Sequence, residues 1–329
     1  MPSAQNIQGQ LHVDRYLTNY SVSYMQDAAN FIANVASSQI PVSNQSDLYA
    51  IYDKGYFFRD ELEARPLGGR PTQIGYKISQ GNYAAVEFAA EHVVDDRQRA
   101  NTDAPISLDQ NATRLLTSKA MINRDRKWAT NFFKSGVWGL DLTGVSSGPS
   151  TNQFLQFDQA GSSPITTIDA YRDYIWQRTG MKPNTLVLGS KVRRKLRTNA
   201  DIVDRIKYTR VGLAEEDLLA SLFDVEKVVT PMSIYNSAME GATDNFQFIV
   251  PETGMWLGYV ERNPTLDTPT AIASFNWTGL LGGAANELGG VITRGRDQRA
   301  YSDYFHIRSA YDLKAVSTEL GIWFGSVVA

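Results

Sequence analysis

The 329-residue chain is 43% hydrophobic and 20% charged, which excludes disorder, collagen and coiled coil, since each needs a compositional bias absent here. Its 32 basic and 35 acidic residues leave a net charge of −3, which argues against a dedicated nucleic-acid binder relying on phosphate neutralisation. Cys is absent, so disulfides, thiolate metal sites and a Cys nucleophile are excluded together, and only His12, His92 and His306 could act as imidazole bases or ligands. The length admits two or three domains. Met1 to Gln10 is no signal peptide, and no run approaches the roughly 18 apolar residues of a membrane span.

The first 46 residues are largely polar, with a short apolar stretch at Phe31, Ile32 and Val35 and then Ile40-Pro41-Val42. Such a segment cannot build a core and reads as an arm lying on something else. From Tyr49 to Phe58 five aromatics cluster, a turn-rich stretch Arg65 to Pro71 follows, and Ile74, Tyr76 and Ile78 alternate with polar residues. This pattern predicts a long hairpin around a Gly/Pro tip, needing a neighbour for support. Ser107 and Gln110 make a capping box, and apolar residues Leu108, Ala112, Leu115, Ile122, Ala129 and Phe133 recur at helical spacing up to Gly136. A helix of about 27 residues would span roughly 40 Å, long enough to act as a spar. Arg114, Arg124 and Lys127 are expected on its other faces.

After Gly136 the chain reads as loops with a short strand at Phe154–Phe157. An α/β block follows. It has a helix ending at Gly180, a buried strand Thr185–Leu188, a basic helix capped by Ser190 and running through Arg197, and a third helix from Ala214 to Leu222. Strands at Val225–Val229, Phe246–Val250 and Trp256–Val260 complete it. The remainder reads largely as strand, at Ala271–Trp277, Val291–Arg294, Tyr304–Arg308 and Ile322–Phe324. The fold class is α+β, with more than one core.

Little in the chain calls for chemistry. His92 and Asp96 would share a face on a helix, but two ligands do not make a metal site, and no HExxH or DxDxDG pattern occurs. No phosphate loop is present, Gly279 to Gly283 reads as a turn, and the G-x-S-x-G string from Gly144 to Gly148 lies in a Gly/Ser-rich stretch that reads as loop. Lys191, Arg193, Arg194, Lys195 and Arg197 form the densest charge cluster; a protein contact or a solvated face is favoured over nucleic acid because the whole chain is acidic. Thr293 to Arg299 carries the same ambiguity. The hairpin aromatics could stack bases, yet so few cations lie beside them that packing against another subunit is favoured. No catalytic residue, cofactor or metal is assigned.

Several stretches, taken in order, resemble the major capsid proteins of tailed bacteriophages with the HK97-like fold. Asp14 to Asn19, Ser23-Tyr24 and Phe31-Ile32-Ala33 resemble the N-terminal arm; Pro41-Val42, Ser46 to Tyr49 and Phe57 to Asp60 resemble the start of the extended loop. Val94 to Asp96 with Arg99 to Asn101, Leu108-Asp109 and Trp128-Ala129 resemble the approach to the spine helix and its course. Pro183 to Gly189 with Leu196 and Asp201-Ile202 resemble the opening of the axial domain. Ala271, Phe275, Trp277, Asp312 to Ala315 and Gly321 resemble later peripheral and closing strands.

The resemblance implies an N-terminal arm over 1–46, an extended loop over 47–90, a peripheral domain with spine helix over 91–163, an axial domain over 164–260, and peripheral and closing strands over 261–329. It implies a non-enzymatic subunit that assembles with itself into hexamers and pentamers of an icosahedral head around double-stranded DNA. The product would be a virion component, assembled in the bacterial host cytoplasm. Partners in that role are a portal, a decoration protein and a scaffold; the arm-like sequence starts almost at Met1, so any scaffold would be a separate protein or already removed. Near-neutral charge fits weak, salt-sensitive contact with packaged DNA. The expected intersubunit residues are Phe31 and Ile32 of the arm, Tyr56, Phe57 and Phe58 of the loop, Arg65 and Arg70 of its tip, and Arg194 and Arg197 of the basic helix. An encapsulin, a bacterial compartment shell of the same fold that packages enzyme cargo, is the alternative. A hydrolase or metal enzyme built on the α/β block is a third reading.

Overall fold

The computed structural model describes residues 26–102, 107–206, 216–280, 286 and 289–329. The arm motif from Asp14 to Tyr24, His12, Pro105, the start of the helix at Ala214 and the Gly282-Gly283 turn lie outside them.

Fifteen strands are described, most of them in two sheets. The five-stranded sheet joins β1 (Ser38–Val42), β4 (Val86–Asp95), β12 (Ile272–Trp277), β13 (Gly290–Asp297) and β14 (Ser302–Ala315). β14 is its organising strand: residues 302–311 pair with β4, 302–309 with β13 and 311–315 with β12, while β1 runs parallel to β12. The six-stranded sheet has the order β6 (Gln153–Leu155), β5 (Asp141–Val145), β15 (Gly321–Gly325), β11 (Met255–Gly258), β7 (Thr185–Leu188) and β8 (Lys227–Val229). Two hairpins complete the set: β2 (Ser46–Tyr52) with β3 (Ile78–Ala84), and β9 (Ile234–Asn236) with β10 (Phe246–Phe248).

These sheets redraw the expected partition of the chain. β5 and β6 lie before residue 164 and β15 after residue 260, yet all three complete the sheet of the expected axial block. β7 finds both its partners, β8 and β11, inside that block, whereas the fully buried β11 is completed on its other side by the remote β15. Likewise β1 takes the end of the expected arm into the five-stranded sheet, and β4 crosses the expected boundary at residue 90. His92 therefore lies on a strand, not on a helix with Asp96, because the run from Val86 to Asp95 pairs with β14 throughout.

Seven helices are described: α1 (Lys54–Phe57), α2 (Asp96–Ala100), α3 (Leu108–Phe132), α4 (Pro164–Thr179), α5 (Ser190–Leu196), α6 (Ala200–Ile206) and α7 (Glu216–Leu222). The spine, α3, has 25 residues and starts where the capping box places it, with Ser107 Oγ accepting from the Gln110 N–H. The α4 helix ends at Gly180, whose φ of +70° only glycine adopts without strain. α5 differs in detail: Gly189, not Ser190, is its N-cap, and no side chain caps it. The loop also differs. Asp53 accepts from the Gly55 N–H and turns residues 54–57 into a helical turn, so the paired strands stop at Tyr52 and Ile78 and residues 59–77 are largely irregular.

Three apolar clusters result. The largest packs Trp128, Phe132 and Phe133 of the spine against Trp256, Trp323 and Trp138 around the six-stranded sheet. Aromatic pairs of this kind add roughly 0.5–1.5 kcal/mol each beyond area burial. A second unites Val94, Ala112, Leu116, Phe305 and Ile307, where the other half of the spine lies on the five-stranded sheet. A third stacks Tyr49 and Tyr83 at the base of the loop on Phe275, with ring centroids at 5.3 and 4.7 Å. The spine thus bridges the two sheets, and the loop is anchored only at its root.

Candidate assembly surfaces

The middle of the spine carries two buried charges. Arg124 donates to Gln39 Oε1 at 2.6 Å, Ser274 Oγ at 2.7 Å and Asn276 Oδ1 at 2.9 Å, and its guanidinium lies 4.7 Å from the centre of the Tyr311 ring. Burial lowers its pKa to about 10 and pushes the Tyr311 hydroxyl up to about 12. Asp125 accepts backbone N–H groups of Ile32 and Ala33 at 2.8–3.1 Å and the Ser233 hydroxyl at 3.0 Å. Burial raises its pKa, and the Ala33, Ile32 and Ser233 donors act against that shift. These neighbours fix both the arm and the strands β1 and β12 to the spine. The expectation that Arg124 sits on an outer face is corrected: the same stripe that buries Trp128 and Ala129 contains Arg124 and Asp125 one turn earlier.

Phe31 and Ile32 are 6% and 0% exposed. Their apolar surface is covered within their own chain because the Asp125 clamp holds this turn against the large core, so they have little to offer a neighbouring copy. The loop behaves in the opposite way. More than half of the large exposed hydrophobics among the described residues fall between Leu48 and Val93. Phe57 and Phe58 are 58% and 63% exposed; Tyr56 is half-buried under Arg59. Tyr52, Phe57 and Tyr76 form a ring triangle with centroid separations of 5.5–5.9 Å. Lys54 ties this base to the body through Glu319 and the Arg178 carbonyl.

Between that base and the body lies a groove of about 810 Å³, lined by Phe57, Phe58, Met181, Leu266 and Leu320 with Asp53 and Asp267 among its polar groups. Arg65 and Arg70 are exposed on the tip beyond it. Pro66 and Gly69 close a turn through a 2.9 Å hydrogen bond; Gly68 takes φ +77° at its third position, and Leu67 stands fully exposed at its second.

On the basic helix Lys191, Arg193 and Lys195 lie within 3.7–4.0 Å of Glu252, Glu216 and Asp158. Arg194 and Arg197 point to solvent. The second basic stretch is absorbed differently. Arg294, Arg296 and Arg99 converge on Asp303, with Asp96 and Asp109 alongside, and staple β13, β14, α2 and the start of the spine. The Arg294 hydrogen bond, helped by Arg296 and Arg99, holds the Asp303 pKa at about 2. His306 pairs with Glu91 across β14 and β4. Among the described residues no three His, Asp or Glu side chains are grouped to hold a metal ion, and no helix is long and apolar enough to cross a membrane.

Comparison with known proteins locates this architecture. A phage-related protein from Bordetella bronchiseptica RB50 superposes with a TM-score of 0.67 at 19% identity, over 96% of this chain and 98% of that one. The capsid protein of cyanophage P-SCSP1u matches with a TM-score of 0.57 at 8% identity, over 90% of this chain and 88% of that one. The chain has the HK97-like capsid fold. An encapsulin of that fold from Synechococcus elongatus PCC 7942 superposes with a TM-score of 0.53 at 8% identity, over 96% of this chain and 98% of that one. In sequence, the chain is similar to the major capsid protein of Burkholderia phage BcepMu, at 25% identity over 239 residues, covering 70% of this chain and 73% of that one. No family model matches.

Sequence reasoning missed the clamp of Arg124, Asp125, Ser233 and Tyr311. The available signal was phase: Arg124 and Asp125 stand four residues before Trp128 and Ala129, inside the apolar stripe.

Proposed function

We propose that this chain is the major capsid protein of a tailed phage, a subunit that assembles with copies of itself into hexamers and pentamers of an icosahedral head enclosing double-stranded DNA. The observation that carries this reading is the near full-length HK97-like fold combined with sequence similarity to the BcepMu capsid protein. The distribution of surfaces supports it. The body buries its central aromatics such as Trp128, Trp256, Phe275 and Phe324, while the loop exposes Phe57, Phe58, Leu62 and Leu67, surface that a lone chain would leave in water. Closed shells need only modest contacts, because each subunit is held by many at once.

In this role the product resides in the virion, and portal, scaffold and decoration proteins are its partners. The exposed Arg194 and Arg197 serve contacts between subunits, and contact with packaged DNA is weak and salt-sensitive, as a net charge of −3 favours. Assembly makes and breaks no covalent bond, so this function assigns no catalytic group. The encapsulin reading shares the fold, but the sequence similarity lies with a phage capsid protein.

Electron microscopy of the overexpressed protein tests the proposal. Closed particles are expected, and their contents separate the two shell readings: duplex DNA or emptiness for a phage head, a co-purifying enzyme for a compartment. A chain that stays monomeric by sedimentation under every assembly condition would refute both.

A further inference from the structure

We propose that the turn Pro66–Gly69 of one subunit seats Leu67 in the groove at the loop base of a neighbouring copy, with Arg65 and Arg70 facing Asp53 and Asp267; the inference rests on the shell-subunit reading above and names the contact that closes a capsomer. Three observations on the same chain meet here. The tip is built to display an apolar side chain: the Pro66–Gly69 hydrogen bond and the left-handed Gly68 fix a tight turn, and Leu67 at its apex is 108% exposed, so it touches nothing in its own subunit. The groove is apolar, large enough at about 810 Å³ for the apex of a turn, and open between the loop base and the body.

Charge matches as well as shape. Arg65 and Arg70 flank the knob, and neither has an ion-pair partner among the described residues. At the groove Glu319 is engaged by Lys54 and by Arg178 at 3.7 Å, whereas Asp53 and Asp267 make no ion pair among the described residues. An apolar anchor ringed by complementary charges is the arrangement that gives an interface affinity at its centre and register at its rim. Used in one direction, knob to groove, the contact is head-to-tail. Repeating it by rotation closes a ring and leaves no free knob, whereas a reciprocal contact would stop at two.

Two measurements test this, both on the full chain. The first is a charge swap scored by particle yield, with the melting temperature as a check on folding. Arg65→Asp with Arg70→Asp should lower the yield at least about tenfold by setting like charges against each other. Adding Asp267→Arg, with the Asp53 cap of α1 left in place, should restore part of it. Normal particles from the tip variant, or no rescue by the swap, would overturn the proposal; so would a groove filled instead by a small molecule, since tip variants would then assemble normally. The second uses the absence of native Cys. Leu67→Cys with Ser317→Cys, oxidised mildly in assembled particles, should give a ladder of linked species extending beyond dimers. Monomers alone, or dimers alone, would overturn it. If the unaltered chain forms no particles at all, the shell reading fails, and that result is distinguishable from particles that form without the crosslink.

Discussion

The middle of the spine and the tip of the loop solve opposite problems with the same kinds of residue. Around Arg124 and Asp125, charges are buried and each is held by several polar partners from β1, β12, the arm turn and Ser233. Around Leu67, an apolar side chain is exposed and flanked by arginines with no ion pair among the described residues. A buried charge is costly unless every partner is in place, so the spine specifies one arrangement of its own chain. An exposed hydrophobe on a turn specifies nothing until another surface covers it. The first region therefore encodes the monomer, and the second is the one we propose for assembly.

The contrast breaks most visibly at Asp125. Asp125→Ala would leave the Ile32 and Ala33 N–H groups and the Ser233 hydroxyl without their acceptor in a buried site. The expected cost is about 3–5 kcal/mol, seen as a fall in the urea midpoint. A loss under about 1 kcal/mol would mean that the arm turn is held by packing alone. Replacing Arg124 by Met should cost less, about 1–3 kcal/mol, because a lost cation no longer needs burying while Gln39, Ser274 and Asn276 can still satisfy one another in part.

Gly180 tests the joint between the two regions. Its left-handed conformation, and a substituted Cβ only 3.1 Å from the ring of Phe58, predict that Gly180→Ala costs about 1 kcal/mol and displaces the loop base. A fluorescence or hydrogen-exchange change confined to residues 53–58 would register that displacement; unchanged exchange there would argue that Phe58 moves aside freely.

Acid sharpens the comparison in the ionic staple. Asp303 titrates at about 2 in the folded chain against an ordinary value of 3.8, and Asp96 is also lowered, chiefly by its hydrogen bond to Arg296. A depressed carboxylate contributes stability that is present above its unfolded pKa and is lost as pH falls through the folded one. The staple should therefore weaken between pH 4 and pH 2, and Asp303→Asn should flatten that limb of the stability curve. An unchanged acid limb would move the source of acid sensitivity elsewhere.

The smallest effect on stability is expected at the tip. Deleting Arg65 to Pro71 should leave the melting temperature of the monomer within about 2 °C, since few buried contacts are lost. Particle formation should disappear. Equal loss of folding and assembly would erase the distinction between the two regions.

Much of the architecture could be read from residue order. The spine follows from a capping box and an apolar stripe, the α4 stop from Gly180, and the buried strand Thr185–Leu188 from an unbroken apolar run. These are local signals, in which helical spacing or turn chemistry is settled within a few residues. The loop was legible in part: its aromatics and Gly/Pro tip were evident, but the Asp53 cap that converts residues 54–57 to a helical turn competes with their strand propensity and wins.

What residue order determined by itself was an α+β chain with a long helix, a protruding loop and no constellation demanding catalysis. Only the tertiary structure decided that residues 141–155 and 321–325 join the sheet of the central block, that Phe31 and Ile32 are covered at home, and that Arg124 and Asp125 lie inside. Each of these depends on which distant segment arrives as a partner, and the free energy of burying a strand or a charge is set by that partner and not by the neighbours in sequence.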